Sequence, residues 1–151
     1  MPTDQQIRQR MSLLMLIWGA MCASGFVYGG ALYSVIKGRT PEQVAELAKN
    51  AASIASLTTI FGVVSGVVAI LALFVIPNLV GKKVPFVGFI VGLALAESIC
   101  IYGFVLGLQG ASMTVVYSFI GGGIFCLVVQ MPTRKLATAV AESKGRSFRE
   151  E

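Results

Sequence analysis

A single carboxylic acid lies deep inside an apolar stretch of this 151-residue chain. It is Glu97, near the middle of the segment Pro85–Leu108, which contains no other charged side chain. A charge at the centre of a bilayer costs roughly 2.5–3.5 kcal/mol, so such residues bind a cation, carry a proton or make an essential hydrogen bond. Burial disfavours the charged form of a carboxyl group, so we expect Glu97 to bind and release a proton.

The helical period separates Glu97 from the small residues of its own segment. At about 100° per residue, one stripe of the predicted helix is formed by small residues that favour helix packing: Gly88, Gly92, Ala96, Gly103 and Gly107. Glu97 lies about 130° from the middle of that stripe. Its own face is bulky, with Ile90, Leu93, Ile101 and Phe104. We therefore expect the carboxyl group to face lipid or a partner protein.

A structural role for the same glutamate is the alternative. A neutral carboxyl group can be held inside a membrane by a hydroxyl group on a neighbouring helix. The hydroxyl residues that the other apolar segments offer for this role are Thr58, Thr59, Ser65 and Ser118. Under this hypothesis Glu97 stabilises the helix bundle and transports nothing.

The composition indicates which elements must position Glu97. Hydrophobic residues make up 56% of the chain and charged residues 13%, about half the charged fraction of a soluble domain. Four long apolar runs occupy residues 11–36, 51–76, 85–108 and 111–131. At 1.5 Å per residue, each is long enough as a helix to cross a hydrocarbon core of roughly 30 Å. The sequence predicts an all-α integral membrane protein with four transmembrane helices in one domain, 1–151.

The basic residues predict the orientation of these helices. Nine Lys and Arg residues flank one side of the predicted bundle: Arg8, Arg10, Lys82, Lys83, Arg134, Lys135, Lys144, Arg146 and Arg149. The other side has three, Lys37, Arg39 and Lys49. The positive-inside rule then places both termini in the cytoplasm. We expect an integral protein of a bacterial inner (plasma) membrane, with lipid as its surroundings.

The connecting segments carry local signals. Thr40-Pro41-Glu42-Gln43 has the pattern of a capping box with proline at the first helical position, so we expect a short interfacial helix over 41–50. Gln109-Gly110 predicts a tight reversal. The segment 133–151 is polar and charged, and we expect a cytoplasmic tail that is mobile at its end.

Two halves of the chain show an internal similarity. A shift of 74 positions aligns Ala20, Ser24, Tyr28, Gly29 and Leu32 with Ala94, Ser98, Tyr102, Gly103 and Leu106. A shift of 55 positions aligns Gly66 and Pro77 with Gly121 and Pro132. The pattern is that of a duplicated two-helix unit, so we expect two tandem hairpins.

Other classes of function lack support. The basic residues flank apolar segments instead of alternating with aromatic residues, so we exclude nucleic acid as a partner. Three cysteines within apolar runs and no histidine do not form a disulfide framework or a metal site. No nucleophile–base pair or phosphate loop is present, so we expect neither an enzyme nor a cofactor.

The segment around Glu97 resembles the ion-carrying helix of the proteolipid family, the c subunits of rotary ATP synthases and vacuolar-type ATPases. The shared pattern, Gly-x-Ala-x-x-Glu followed by Tyr-Gly, is formed here by Gly92, Ala94, Glu97, Tyr102 and Gly103. The resemblance implies an oligomeric subunit whose glutamate passes a proton or a sodium ion to a membrane partner protein. It extends over about 25 residues of the chain.

The resemblance also implies an ion-binding set. In sodium-binding proteolipids the hydroxyl group after the glutamate and a tyrosine five residues later complete the site, and these positions are Ser98 and Tyr102. The glutamine that such members carry on the preceding helix is absent from 51–76, which favours a proton over sodium. Two further hypotheses stay open. One is a small proton-coupled exporter of the multidrug type, and the other is a scaffold or accessory subunit.

Overall fold

Every element of the chain that the computed structural model describes, over residues 2–147, is helical. The bounds in chain order are α1 Asp4–Lys37, α2 Pro41–Lys49, α3 Ala51–Ile70, a π-helical turn Leu71–Val75, α4 Ile76–Leu79, α5 Pro85–Leu108, α6 Met113–Val129 and α7 Arg134–Ser147. The prediction of an all-α chain is confirmed. The helix predicted over 41–50 is α2, which ends at Lys49.

Three helical segments are long and apolar enough to cross a membrane. They are α1, the continuous rod Ala51–Leu79 that joins α3 to α4, and α5. The 17 residues of α6 span about 26 Å, so α6 qualifies as a fourth span only together with α7, which turns away by 68°. The chain therefore has three or four helices suited to a bilayer.

The helix formed by the second apolar run continues past Pro77, the residue expected to end it. Pro77 lies inside the helical rod, which ends at Leu79. Proline has no backbone N–H and its ring displaces the carbonyl group four residues earlier. The π-helical turn Leu71–Val75 immediately before it widens the backbone at that level. A local change of helical pitch thus lets the helix continue past a residue that normally ends it.

The helix ends follow short polar signals. Thr40 and Gln43 form the predicted capping box, with each side chain bonded to the other residue's backbone N–H. Thr3 and Gln6 form the same box at the start of α1. At the reversal after α5, Gly110 has a φ of 96°, and Ala111 N–H donates to Leu106 O. These are the features of a Schellman motif, in which glycine takes the left-handed position.

Helix α5 is the centre of the bundle. It packs most extensively against α6, and α1 and α3 lie against it on separate sides. Over their described residues α1 and α3 do not contact each other. The predicted pair of tandem hairpins is therefore wrong for the first half, because α5 separates the two helices that would form that hairpin. Helices α5 and α6 do form a packed hairpin.

The stripe of small residues on α5 is buried at every position: Gly88, Gly92, Ala96, Gly103 and Gly107. A methyl group on Gly103 would lie 2.8 Å from Phe119 Cβ on α6. On Gly107 it would overlap the side chain of Leu32 on α1. The stripe thus gives close approach to two helices at once.

The C-terminal segment is more ordered than its polar composition suggested. Residues 134–147 form α7, whose first N–H groups are capped by Thr133. Ala137 and Val140 are buried, and Ala137 belongs to the same apolar cluster as Leu14 of α1. The predicted polar tail is therefore a helix as far as Ser147, and it packs on α1 around Ala137. Mobility was expected at the end of the tail, and residues 148–151 lie outside the described part.

Candidate functional site

Glu97 lies on α5 and accepts a hydrogen bond from Tyr28 of α1. The Tyr28 hydroxyl group is 3.2 Å from Glu97 Oε1. The ring of Tyr28 lies beside that of Phe104, with 5.7 Å between centroids and 44° between planes. The carboxyl group is therefore held to a second helix through one oxygen, and its donor is oriented by an aromatic contact.

The packing of α1 against α5 explains why these two residues meet. Gly25 lies against Cys100, and Leu32 lies against Gly107. Residue numbers increase together on the two helices, so α1 and α5 run in the same direction. Gly25 also lies against α6: an added Cβ would lie 2.9 Å from Ile124 and 3.6 Å from Cys100 Sγ. This parallel packing of α1 on α5 places the Tyr28 hydroxyl group within reach of Glu97.

The second carboxyl oxygen of Glu97 is open. Glu97 is half-buried, and no hydrogen bond to Oε2 is made by any residue in 2–143, the range whose side chains the structure describes. Within that range, the one fully enclosed side-chain oxygen or nitrogen without a partner is Ser65 Oγ, so Oε2 is not fully enclosed. The same part of the chain places no basic side chain on Glu97. The carboxyl group therefore has one fixed oxygen and one free oxygen.

Glu97 borders an uncovered face of α5. The exposed residues of this helix are Val87, Val91, Ala94, Ile101 and Leu108. By the helical period they lie between Glu97, on the side of α1, and Tyr102, on the side of α3. We call these five residues the open face. Glu97 lies away from the small-residue stripe, and of the bulky residues predicted on its face Ile101 is exposed whereas Leu93 is buried.

The structure does not bring the other two proposed ion ligands onto Glu97. Ser98 Oγ donates to Leu95 O within α5 at 2.7 Å. The Tyr102 ring stacks on Phe61 of α3, with 5.0 Å between centroids. Over residues 2–147 neither hydroxyl group is hydrogen-bonded to the carboxyl group. The arrangement can bind and release a proton, but it is not assembled as a cage of oxygen ligands.

Sequence reasoning missed Tyr28, whose hydroxyl group is the one that is hydrogen-bonded to Glu97 among the side chains that the structure describes. Of the four candidate donors, Thr58, Thr59 and Ser118 donate to carbonyl groups of their own helices. Ser65 is buried without a partner in the described chain. Those four assignments were wrong. A signal for Tyr28 existed, because the internal repeat aligns it with Tyr102, which itself lies five residues after Glu97.

A second polar contact lies in the seam between α5 and α6. Gln130 Nε2 donates to Gly92 O at 3.3 Å and to Cys126 O at 3.2 Å. Trp18 of α1 donates from Nε1 to Leu127 O at 2.7 Å. These bonds satisfy donors inside an apolar bundle. They position helices and leave Glu97 as the one charged side chain within the apolar part of the described helices.

Comparisons with models of known protein families, with curated proteins and with solved structures found no match. In the part of the chain that the structure describes, no group of three His, Cys, Asp or Glu side chains is placed to hold a metal ion. The interpretation of the site therefore depends on the geometry around Glu97.

Proposed function

We propose that this protein is a membrane subunit that carries protons on Glu97. The observation that supports this most directly is the asymmetric environment of the carboxyl group. One oxygen is bonded to Tyr28, and the other is open beside the open face of α5. A purely structural carboxyl group in a membrane is expected to have all its polar atoms satisfied inside the bundle. A carrier must instead reach a donor or acceptor outside it.

The proton is favoured over sodium as the ion. Sodium requires several oxygen ligands around it, whereas Ser98 is bonded to its own helix and Tyr102 is stacked on Phe61. A proton requires only the carboxyl group. In its neutral form Glu97 can stay beside lipid at a modest cost, and in its charged form Tyr28 donates to it.

The proposal includes a topology and an assembly. We infer four spans, with α6 as the fourth, and both termini on the cytoplasmic side of a bacterial inner membrane. The basic residues around the start of α1 and the loop before α5 support that side. The protein would act as a homo-oligomer with a membrane partner protein that accepts the proton. This is the arrangement that the proteolipid resemblance implies.

The test uses an apolar carbodiimide, which partitions into the membrane. The O–H of a neutral carboxylic acid adds across a C=N bond of the reagent, the proton goes to nitrogen, and the protein gains the whole mass of the reagent. We expect wild-type protein in mild detergent to acquire one adduct, faster at lower pH. Glu97→Gln should acquire none, and Glu46→Gln, which removes an exposed acid of α2, should react like wild type.

The same experiment also addresses the ion. Sodium ions that bound Glu97 would compete with protonation, so adding sodium chloride would slow the labelling more than adding potassium chloride. Equal rates in the two salts are expected for a proton carrier. Failure of Glu97 to react at any pH would contradict a carboxyl group that is both reachable and protonatable.

A scaffold or accessory subunit is the second candidate, because the Tyr28–Glu97 hydrogen bond joins two helices that pack on each other. An amide keeps the acceptor of a neutral carboxyl group, so Glu97→Gln would leave such a protein functional. For a carrier the same variant abolishes proton movement while the protein still assembles. Proton uptake into vesicles containing the protein and its partner complex separates these two outcomes.

A further inference from the structure

The end of the bundle at which α1 begins is strongly basic. Six described basic side chains lie there, and we call them the basic collar: Arg8, Arg10, Lys82, Lys83, Arg134 and Lys135. The acids described at the same end are Asp4 and Glu142. Clusters of four to eight basic residues beside membrane helices attract anionic lipid headgroups, at about 1 kcal/mol per residue.

The opposite end of the bundle carries less positive charge. Its basic residues are Lys37, Arg39 and Lys49, beside Glu42 and Glu46. Arg39 is also engaged within the fold, because its Nη2 donates to Gly107 O and Leu108 O at 2.8 and 2.9 Å. Its guanidinium group therefore caps carbonyl groups at the C-terminal end of α5. The two ends therefore differ in their number of basic side chains. They also differ because Arg39, at the opposite end, is already hydrogen-bonded within the fold.

Two residues of the basic collar lie at a cleft that is partly apolar. Arg8 and Arg134 line a cleft of about 300 Å³ together with Asp4, Ile7 and Met11. Arg134 Nη2 is 3.2 Å from Asp4 Oδ1, and both side chains of this ion pair are about four-fifths exposed. An exposed pair of this kind contributes little to stability and can exchange partners. Two guanidinium groups above two apolar side chains match an anionic amphiphile.

The placement of α7 orients the cleft toward the membrane surface. The axis of α7 turns by 68° from that of α6, and α7 packs on the first turns of α1. A helix that leaves a spanning helix at this angle lies closer to the membrane plane than to its normal. Its first turn carries Arg134, which lines the cleft together with Arg8 of α1. With α6 as the fourth span, as proposed above, this turn would lie at the level of lipid headgroups.

We propose that the basic collar binds an anionic phospholipid. Arg8 and Arg134 hold its phosphate, and an acyl chain lies over Ile7 and Met11. Arginine suits this role because its planar fork pairs with two phosphate oxygens. The inference is independent of the role of Glu97. It assigns a specific lipid site to the junction of α1 and α7.

The test is native mass spectrometry of the full chain in mild detergent with equal amounts of phosphatidylglycerol and phosphatidylcholine. We expect wild type to retain phosphatidylglycerol preferentially. In Arg8→Gln/Arg134→Gln the preference should fall roughly tenfold or more, because two bases are lost. The control Lys37→Gln/Lys49→Gln removes the same charge from the opposite end and should keep the preference. Equal binding of the two lipids by wild type, or an equal loss in the control, would overturn the proposal.

A second variant separates lipid binding from folding. Asp4→Asn breaks the same ion pair with Arg134 but leaves the cleft more positive, so retention of phosphatidylglycerol should rise. A fall in Asp4→Asn would mean that the ion pair holds α7 in place and that the lipid is incidental. Inorganic phosphate, added at the concentration of the lipid, should not displace it. Displacement would identify a site for a free anion and would overturn the assignment to a lipid.

Discussion

Tyr28 and Glu97 show how a single hydrogen bond sets the behaviour of a membrane carboxyl group. The Tyr28 hydroxyl group donates to Oε1, and Oε2 has no hydrogen-bond partner among the described side chains. Interhelical hydrogen bonds within membranes average about 0.6 kcal/mol, much less than the cost of inserting a charge. The bond is therefore strong enough to orient the carboxyl group and weak enough to break during the proton transfer that we propose for Glu97.

Removing the Tyr28 hydroxyl group should free the carboxyl group without unfolding the protein. In Tyr28→Phe the ring can keep its contact with Phe104, and only the donor is lost. A bond of about 0.6 kcal/mol corresponds to a change of about threefold, so carbodiimide labelling of Glu97 should accelerate by about that factor. Tyr117→Phe is the control, because Tyr117 is exposed on α6. An unchanged rate in Tyr28→Phe would show that the bond does not restrain Glu97.

At the scale of elements, the seam between α5 and α6 is the closest helix contact of the bundle. A methyl group on Gly123 would overlap Cys100 Sγ, and would lie 2.9 Å from Cys100 N and 3.1 Å from Ala96 O. Two of these three atoms belong to the backbone and cannot rotate away. The neighbouring Gly122, on the same helix, has open space around the corresponding position.

This pair of adjacent glycines makes a matched test of the seam. Gly123→Ala should destabilise the protein by about 1–3 kcal/mol, the usual cost of forcing an extra carbon into a packed contact. Gly122→Ala should be neutral or stabilising by up to about 1 kcal/mol, because alanine favours helix over glycine. Denaturation with dodecyl sulfate can be followed by the fluorescence of Trp18, which is bonded to α6. Equal stabilities of the two variants would contradict the close seam.

The helix ends were predictable from sequence where a pattern of neighbouring residues determines the backbone conformation. The capping box at Thr40 and the reversal at Gly110 formed as expected, since each depends on neighbouring residues. The same Thr-x-x-Gln pattern begins at Thr3 and was available to predict the start of α1. Composition misled at α7, where Ala137 and Val140 suffice to bury one side of a polar helix against α1.

Helix packing was less predictable, because it depends on which faces meet. Period and residue size identified the stripe from Gly88 to Gly107 as a packing face, and these residues are buried. They do not specify the neighbour: α5 lies between α1 and α3, whereas the repeat suggested that α1 and α3 form a pair. The same uncertainty hid Tyr28, since its contact with Glu97 depends on the α1–α5 interface.

At the scale of the whole molecule, the number of spans decides the location of the termini. An even number places both on one side, and an odd number separates them. Helix α6 is the uncertain case, because its 17 residues are followed by a turn of 68°. We expect α6 to cross and both termini to be cytoplasmic. Reporters that are active only in the cytoplasm should function when fused to either end. Activity at one end alone would indicate three spans.

The uncovered apolar surface of the molecule bears on whether the protein assembles with other chains. The rod Ala51–Leu79 leaves much of its apolar surface uncovered, including Ile60, Val63, Val67, Ile70 and Phe74. Lipid can cover such a surface, and so can further copies of the chain. The open face of α5 adds a second uncovered surface next to Glu97. A carrier that passes its proton to a partner is expected to present that side repeatedly around a closed assembly.

The proteolipid resemblance implies a closed oligomer, so we expect native mass spectrometry of the purified protein in mild detergent to give roughly five or more copies, with the uncovered apolar faces available for contacts between copies. Glu97→Gln should give the same mass, since an amide retains the acceptor for Tyr28. A ring that assembles in both proteins but moves protons only with Glu97 would separate the role of the glutamate in transport from any role in assembly. A monomer or dimer would argue against a rotary-type subunit. The uncovered faces would then contact lipid or other proteins, and the scaffold and exporter hypotheses would gain weight.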